Sequence, residues 1–112
     1  MTEPEVLGVE RHGDEVRVSL RIQPELRWFT GHFPGMPLLP AVVQTHWAVT
    51  FGRQYFTLPP RFTGMSNFKF MRLVTPGAHL ELRLRCTAGG ELEFRYVDAG
   101  EEAAGGRLRF AD

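Results

Sequence analysis

Residues 41–56 place apolar side chains on most sides of a helical wheel, at Val42, Val43, Trp47, Ala48, Val49, Phe51 and Tyr55. A helix of this kind has to be surrounded by other elements. Pro40 suits the first turn of such a helix, where a missing N–H costs nothing, so the spacing predicts a start near Ala41. Gly52 weakens the far end, and Pro59-Pro60 stops the helix.

The rest of the chain is dominated by period-two patterns. Val16, Val18, Leu20 and Ile22 alternate with Arg17, Ser19 and Arg21, which is the pattern of a half-buried strand. His12-Gly13-Asp14 reads as a turn, and Leu7 and Val9 before it suggest a first strand paired with that one, which makes His12 a solvated hairpin residue. Residues 62–74 read as a third strand. Leu80, Leu82, Leu84 and Cys86 mark a fourth, Leu92, Phe94 and Tyr96 a fifth, and Leu108 and Phe110 the last. His79 begins the fourth beside a turn and is expected to be exposed. Turns are expected at Thr75-Pro76-Gly77 and Ala88-Gly89-Gly90, with a further loop over residues 100–106. The sum is α+β: an antiparallel sheet of about six strands, with one long helix after the second strand, and the sheet must wrap the helix to bury it.

With 112 residues, 43% of them hydrophobic, the chain has room for one core, so a single domain spanning residues 1–112 is expected. A formal net charge of zero gives no reason to expect a nucleic-acid partner. No apolar run approaches the ~18 residues needed to cross a bilayer, and the acidic start Met1-Thr2-Glu3-Pro4-Glu5 is unlike a signal peptide, so the cytoplasm is the expected location. The lone Cys86 cannot form an internal disulfide and reads as a small, partly buried apolar residue. The charges are unevenly spread: every Asp and Glu lies at or before Glu25 or at or after Glu81, and the middle carries only Arg27, Arg53, Arg61, Lys69 and Arg72. That basic stretch would steer an acidic partner. Equally, a buried helix and strand would exclude carboxylates on their own account.

The segment Phe29-Thr30-Gly31-His32-Phe33-Pro34-Gly35-Met36-Pro37-Leu38-Leu39-Pro40-Ala41-Val42 resembles the signature of the hotdog-fold 3-hydroxyacyl-carrier-protein dehydratases (FabA/FabZ-like), which read Gly-His-Phe-Pro and then, a few residues on, Pro-Gly-Val or Pro-Gly-Cys. The block from Asn67 to Gly77, ending in Pro76-Gly77, is similar to that family's strand-and-turn block. The short chain and Gln44-Thr45-His46-Trp47-Ala48 look most like the ApeI-type dehydratases of aryl-polyene and related lipid pathways. The resemblance implies a hotdog fold, with an antiparallel sheet wrapped around one long central helix. It also implies pairing of two subunits, as a homodimer or as a heterodimer with another hotdog subunit, and a substrate tunnel at their interface.

The same resemblance implies removal of water from a 3-hydroxyacyl thioester on acyl carrier protein or CoA, with no cofactor. His32 would take the C2 proton. A neutral imidazole is a usable base near pH 7, and Phe29, Phe33, Met36 and Leu38 would keep competing water away. The N–H of Ala41, where the family has Gly, would polarise the thioester carbonyl at the positive end of the helix. Phe33, Met36, Leu38 and Val42 would line the tunnel, and Arg53, Arg61, Lys69 and Arg72 would meet the acidic carrier. The departure is His46, which stands where the family places the Glu or Asp that handles the leaving hydroxyl. Gln44 and Thr45 are polar residues of the same helix, read either as positioning water or as surface residues with local hydrogen bonds. His32 and His46 alone fall short of the three or four ligands of a zinc centre, so no metal is expected. Two other functions stay open. One is a non-catalytic acyl-binding or heterodimer-partner subunit, motivated by His46. The other is a thioesterase, which the missing helix carboxylate argues against.

Overall fold

The computed structural model describes residues 1–31 and 35–112. Strands β1 (Glu5–His12) and β2 (Glu15–Arg21) form a hairpin whose turn uses Gly13 at φ 65°. The helix α1 (Ala41–Tyr55) follows, and then β3 (Arg61–Phe70), β4 (His79–Cys86), β5 (Leu92–Asp98) and β6 (Glu101–Ala111). Among the described residues these make a six-stranded antiparallel sheet in the order β1-β2-β4-β5-β6-β3. This is the expected α+β hotdog arrangement, with one long helix inserted after the second strand.

The alternation seen in the sequence sorts the side chains. Val16, Val18 and Leu20 of β2, Leu80, Leu82 and Leu84 of β4, and Leu92, Phe94 and Tyr96 of β5 are buried in one core with Val43, Trp47, Ala48 and Phe51 of α1. The intervening residues form ion pairs along the other face, among them Arg17 with Glu15 at 2.6 Å, Arg83 with Glu81 at 2.6 Å and Arg85 with Glu93 at 2.8 Å. Such solvated pairs are worth only ~0–1 kcal/mol each, so the apolar side holds the sheet to the helix. The N-terminal residues strap one end of that core. The carbonyl of Thr2 accepts from the indole N–H of Trp28 at 2.8 Å and of Trp47 at 3.2 Å.

Three expectations need correction. Residues 100–106 belong mostly to β6 and not to a loop, because glycine there serves close packing. A Cβ on Gly106 would lie 3.1 Å from Cβ of Phe68 and 3.2 Å from the ring of Phe94. The third strand ends at Phe70, short of residue 74, and is interrupted by a bulge between Ser66 and Lys69, with Asn67 at φ 51°. Finally, α1 is not surrounded on all sides. Val42, His46, Thr50 and Arg53 are exposed along one face.

Cys86 is half-buried at the end of β4, and burial raises its thiol pKa, which disfavours the reactive thiolate. His12 and His79 are exposed, as the turn positions predicted.

Gly52 tests how closely the helix meets the sheet. Alanine is favoured over glycine by ~1 kcal/mol in a helix interior. Yet a Cβ at position 52 would run into Cδ2 of Leu92, which is fully buried and would have to shift within the core. Overpacking of this kind costs ~1–3 kcal/mol, so Gly52→Ala is expected to destabilise the protein in a urea titration. A gain in stability would show that the helix and β5 are less tightly packed.

Candidate active site

Two groups of residues meet at the start of α1, on neighbouring faces of the helix. Pro40 occupies the N-cap position without a side-chain cap, and its carbonyl accepts from the N–H of Val43 at 3.1 Å and of Gln44 at 3.2 Å. The N–H groups of Ala41 and Val42 precede those and have no acceptor within the helix, which is the general condition of a helix start. The approach to the helix is pinned. Leu39 N–H donates to the carbonyl of Val74 at 2.9 Å, and the side-chain amide of Gln44 donates to the carbonyl of Leu39 at 3.3 Å. Tyr96, fully buried in β5, donates its hydroxyl to the carbonyl of Gln44 at 2.6 Å, and burial pushes its phenol pKa far up, so it stays a donor.

On the sheet side, a cavity of about 180 Å³ is lined by Leu38, Leu39, Pro40, Ala41, Gln44, Phe70, Arg72, Leu73 and Val74. On the adjoining face, Val42, Thr45, His46 and Val49 of α1 and Phe62 of β3 line an open groove of about 200 Å³. Val42 is 73% exposed there. Among the described residues no carboxylate lines this groove and His46 makes no ion pair. Its carbonyl accepts from the hydroxyl of Thr50 at 3.1 Å, a bond that does not involve the imidazole.

The expected site residues therefore divide. Leu38 and Ala41 lie at the cavity, Val42 and His46 at the groove, and Met36 is exposed just ahead of both. His32 and Phe33 lie outside the described residues. Gln44 and Thr45 are not surface residues. They are 4% and 9% exposed, because the helix turns them toward the sheet, and Thr45 donates to the carbonyl of Ala41 at 3.1 Å. Phe62 and Tyr96 were legible only as strand residues, since nothing local places one beside His46 or the other beneath Gln44.

The basic residues have partners that the sequence order concealed. Lys69 pairs with Glu102 at 3.5 Å and Arg72 with Glu101, both carboxylates coming from β6. Arg53 donates to the carbonyls of Pro59 and Pro60 and lies over the ring of Phe110, while Arg61 donates to the carbonyl of Asp112.

Residues 8–107 match the ApeI-like family, described as ApeI dehydratase. Among proteins of assigned activity, the chain is 35% identical over 97 residues to the 3-hydroxyacyl-[acyl-carrier-protein] dehydratase FabZ of Desulforamulus reducens, covering 75% of this chain and 67% of that protein. It is 31% identical over 84 residues to FabZ of Erythrobacter litoralis, covering 67% of this chain and 56% of that protein. The matches thus span between half and two thirds of these two relatives. Among solved structures, a chain of the dehydratase heterocomplex ApeI:P from Xenorhabdus doucetiae superposes with a TM-score of 0.88 at 29% identity, over 96% of this chain and 97% of that one.

Proposed function

This chain belongs to the ApeI-like family of hotdog dehydratases, and from that premise we propose that it removes water from a 3-hydroxyacyl thioester, giving the trans-2-enoyl thioester. The carrier is acyl carrier protein or CoA, and the setting is fatty-acid, aryl-polyene or related lipid synthesis in the cytoplasm. The observation that carries this reading is the helix start. It presents two N–H groups, of Ala41 and Val42, that have no acceptor in the helix, beside a groove that holds the imidazole of His46, and in the sequence His32 stands nine residues ahead of Ala41.

In this reading the thioester carbonyl accepts from the Ala41 N–H, so the charge that develops on oxygen as C2 loses its proton sits at the positive end of α1. His32 takes that proton. His46, protonated, gives a proton to the departing hydroxyl. Phe33, Met36, Leu38 and Val42 keep water from the enolate. Arg53, Arg61, Lys69 and Arg72 receive the carrier. Lys69, Arg72 and Glu101 are exposed and Glu102 is half-buried, so these weak pairs would give way to a carrier's carboxylates or phosphate.

Assembly belongs to the same proposal. Val42, Phe62, Phe68, Met71 and Leu73 are all exposed, and among the described residues β3 is an edge strand with no strand paired to its outer side. A second hotdog subunit laid along β3 would cover both the edge and these side chains. A second functional reading rests on His46. In the absence of a groove carboxylate, the chain would act as an acyl-binding subunit, or as one half of a heterodimer whose other half brings the acid. The heterocomplex of its structural relative is the precedent.

Enoyl formation from a 3-hydroxyacyl thioester, followed by ultraviolet absorbance, separates these readings. His32→Ala is expected to abolish turnover. His46→Ala is expected to lower it ~10²-fold or more, the usual loss on removing a general acid. An unchanged rate in His46→Ala, together with a gain in His46→Asp, would transfer the acid's role to a partner and favour the second reading.

The carrier surface has its own test. Lys69→Glu and Arg72→Glu are expected to raise KM for a carrier-bound substrate at low salt, with the effect fading as salt rises. An unchanged KM would remove these residues from the docking surface.

A further inference from the structure

The outer face of the sheet, turned away from α1, carries a pattern of charge that the proposed chemistry leaves unused. In the strand register Arg17 of β2 stands opposite Arg83 of β4, and Arg83 stands opposite Arg95 of β5. Arg95 is opposite Gly105 of β6, and Gly105 is opposite Lys69 of β3. Four cations thus lie in one row across five strands, broken only where Gly105 has no side chain. Like charges directly opposite one another destabilise a sheet, so the row works against the fold that carries it. Local rules are broken in this way at functional surfaces, where something beyond the fold itself offsets the cost.

The adjoining rows do not neutralise this one. On one side Glu15, Arg85, Glu93 and Arg107 alternate, and on the other stand Glu81 and Glu102. Across the three rows six cations face four carboxylates. Two of the carboxylates are shared: Glu15 between Arg17 at 2.6 Å and Arg95 at 3.8 Å, and Glu93 between Arg85 at 2.8 Å and Arg107 at 3.5 Å. A guanidinium has five N–H donors, so these arginines keep donors for a further anion. At Gly105 the missing side chain leaves a hollow of about 190 Å³, bordered by Lys69, Arg95 and Arg107 and by the carboxylates of Glu93 and Glu102.

We propose that this row is a docking surface for a partner protein that presents an α-helix with one carboxylate per turn, laid across the strands. Neighbouring strands lie ~4.8 Å apart and an α-helix rises ~5.4 Å per turn, so side chains along one helix face meet successive strands nearly in step. From Arg17 to Lys69 the row covers four strand spacings, ~19 Å, which is about three and a half turns of helix. Successive carboxylates would meet Arg17, Arg83 and Arg95, and the next would enter the hollow over Gly105, between Arg95 and Lys69. Arginine suits this role, because its planar fork takes a carboxylate through two parallel N–H bonds. Two other occupants fit less well. A nucleic acid would bring phosphates against the flanking carboxylates as well as the row. A lipid surface would find little to bury, since among the described residues of these rows Val97 alone is a large hydrophobic one. The docking is independent of the thioester reading, so its test leaves Lys69, which that reading also uses, unchanged.

The probe is a synthetic helix whose glutamates form a single stripe, one to each turn, compared with a helix of the same composition whose glutamates are spread around it. By fluorescence anisotropy at low salt, the full chain is expected to bind the striped helix about tenfold more tightly, an advantage that fades as salt rises. In the double variant Arg83→Gln, Arg95→Gln that advantage is expected to disappear. In Arg85→Gln, taken from the alternating row, it is expected to persist. Equal binding of the two helices by the unmodified protein would overturn the proposal, as would an equal loss in Arg85→Gln. Tighter binding of a DNA duplex or of anionic vesicles than of the striped helix would overturn it in favour of that occupant.

Should the double variant not fold, the side-chain Nε–H resonances of the unmodified protein are the second measurement. Those of Arg17, Arg83 and Arg95 are expected to shift on adding the striped helix, while that of Arg53, on α1, stays in place. Shifts of equal size in both, or none in the row, would overturn the proposal. None of these readouts involves turnover, so their outcome is separate from that of the dehydration assay.

Discussion

The packing of α1 against the sheet is the interaction on which the rest of this structure depends. Trp47 and Ala48 are fully buried, Val43 and Phe51 nearly so, and the alternating apolar residues of β2, β4, β5 and β6 meet them. Burying a large apolar side chain is worth ~1.5–3 kcal/mol, so a few such contacts exceed all the surface ion pairs of the outer face. The same packing sets the limits of the chain. A sheet of this width covers one side of the helix and leaves Val42 and His46 on the other in water, beside the uncovered Phe62 of the edge strand.

The position of the helix also determines what its first turn offers. Its approach is tied down by Leu39 to Val74 and by Gln44 to Leu39, and Tyr96 holds the carbonyl of Gln44 from below. These bonds rest on core residues, so the N–H groups of Ala41 and Val42 are presented by rigid structure and need not be organised when a ligand arrives. On one face of that turn lies a small cavity with a mostly apolar wall. The adjoining face is open and carries the imidazole of His46.

Much of this was legible in the sequence because the signals were local. Alternation from Val16 to Ile22 and from Leu80 to Cys86 marked β2 and β4, and Pro40 marked the first residue of α1. The loop motif around His32 pointed to the family before any contact was known, and the match over residues 8–107 agrees with it. What escaped depended on contacts between distant residues. Gly105 and Gly106 looked like loop residues because the reason for them, Phe68 and Phe94 packed against their backbone, lies on other strands. The middle of the chain looked free of acids, yet Glu101 and Glu102 reach Arg72 and Lys69 across the β3–β6 pairing. Gln44 read as a surface residue because its polarity gave no hint that the helix turns it inward.

The account turns on a second subunit covering the open face of α1 and the free edge of β3, since without it the groove at His46 is a wet surface and not a tunnel. The direct measurement is the native mass of the purified protein at micromolar concentration, by sedimentation or light scattering. A particle of twice the 12.7 kDa chain is expected. A stable monomer at that concentration would contradict the account, because the exposed apolar residues and the edge strand would then have no second subunit to cover them.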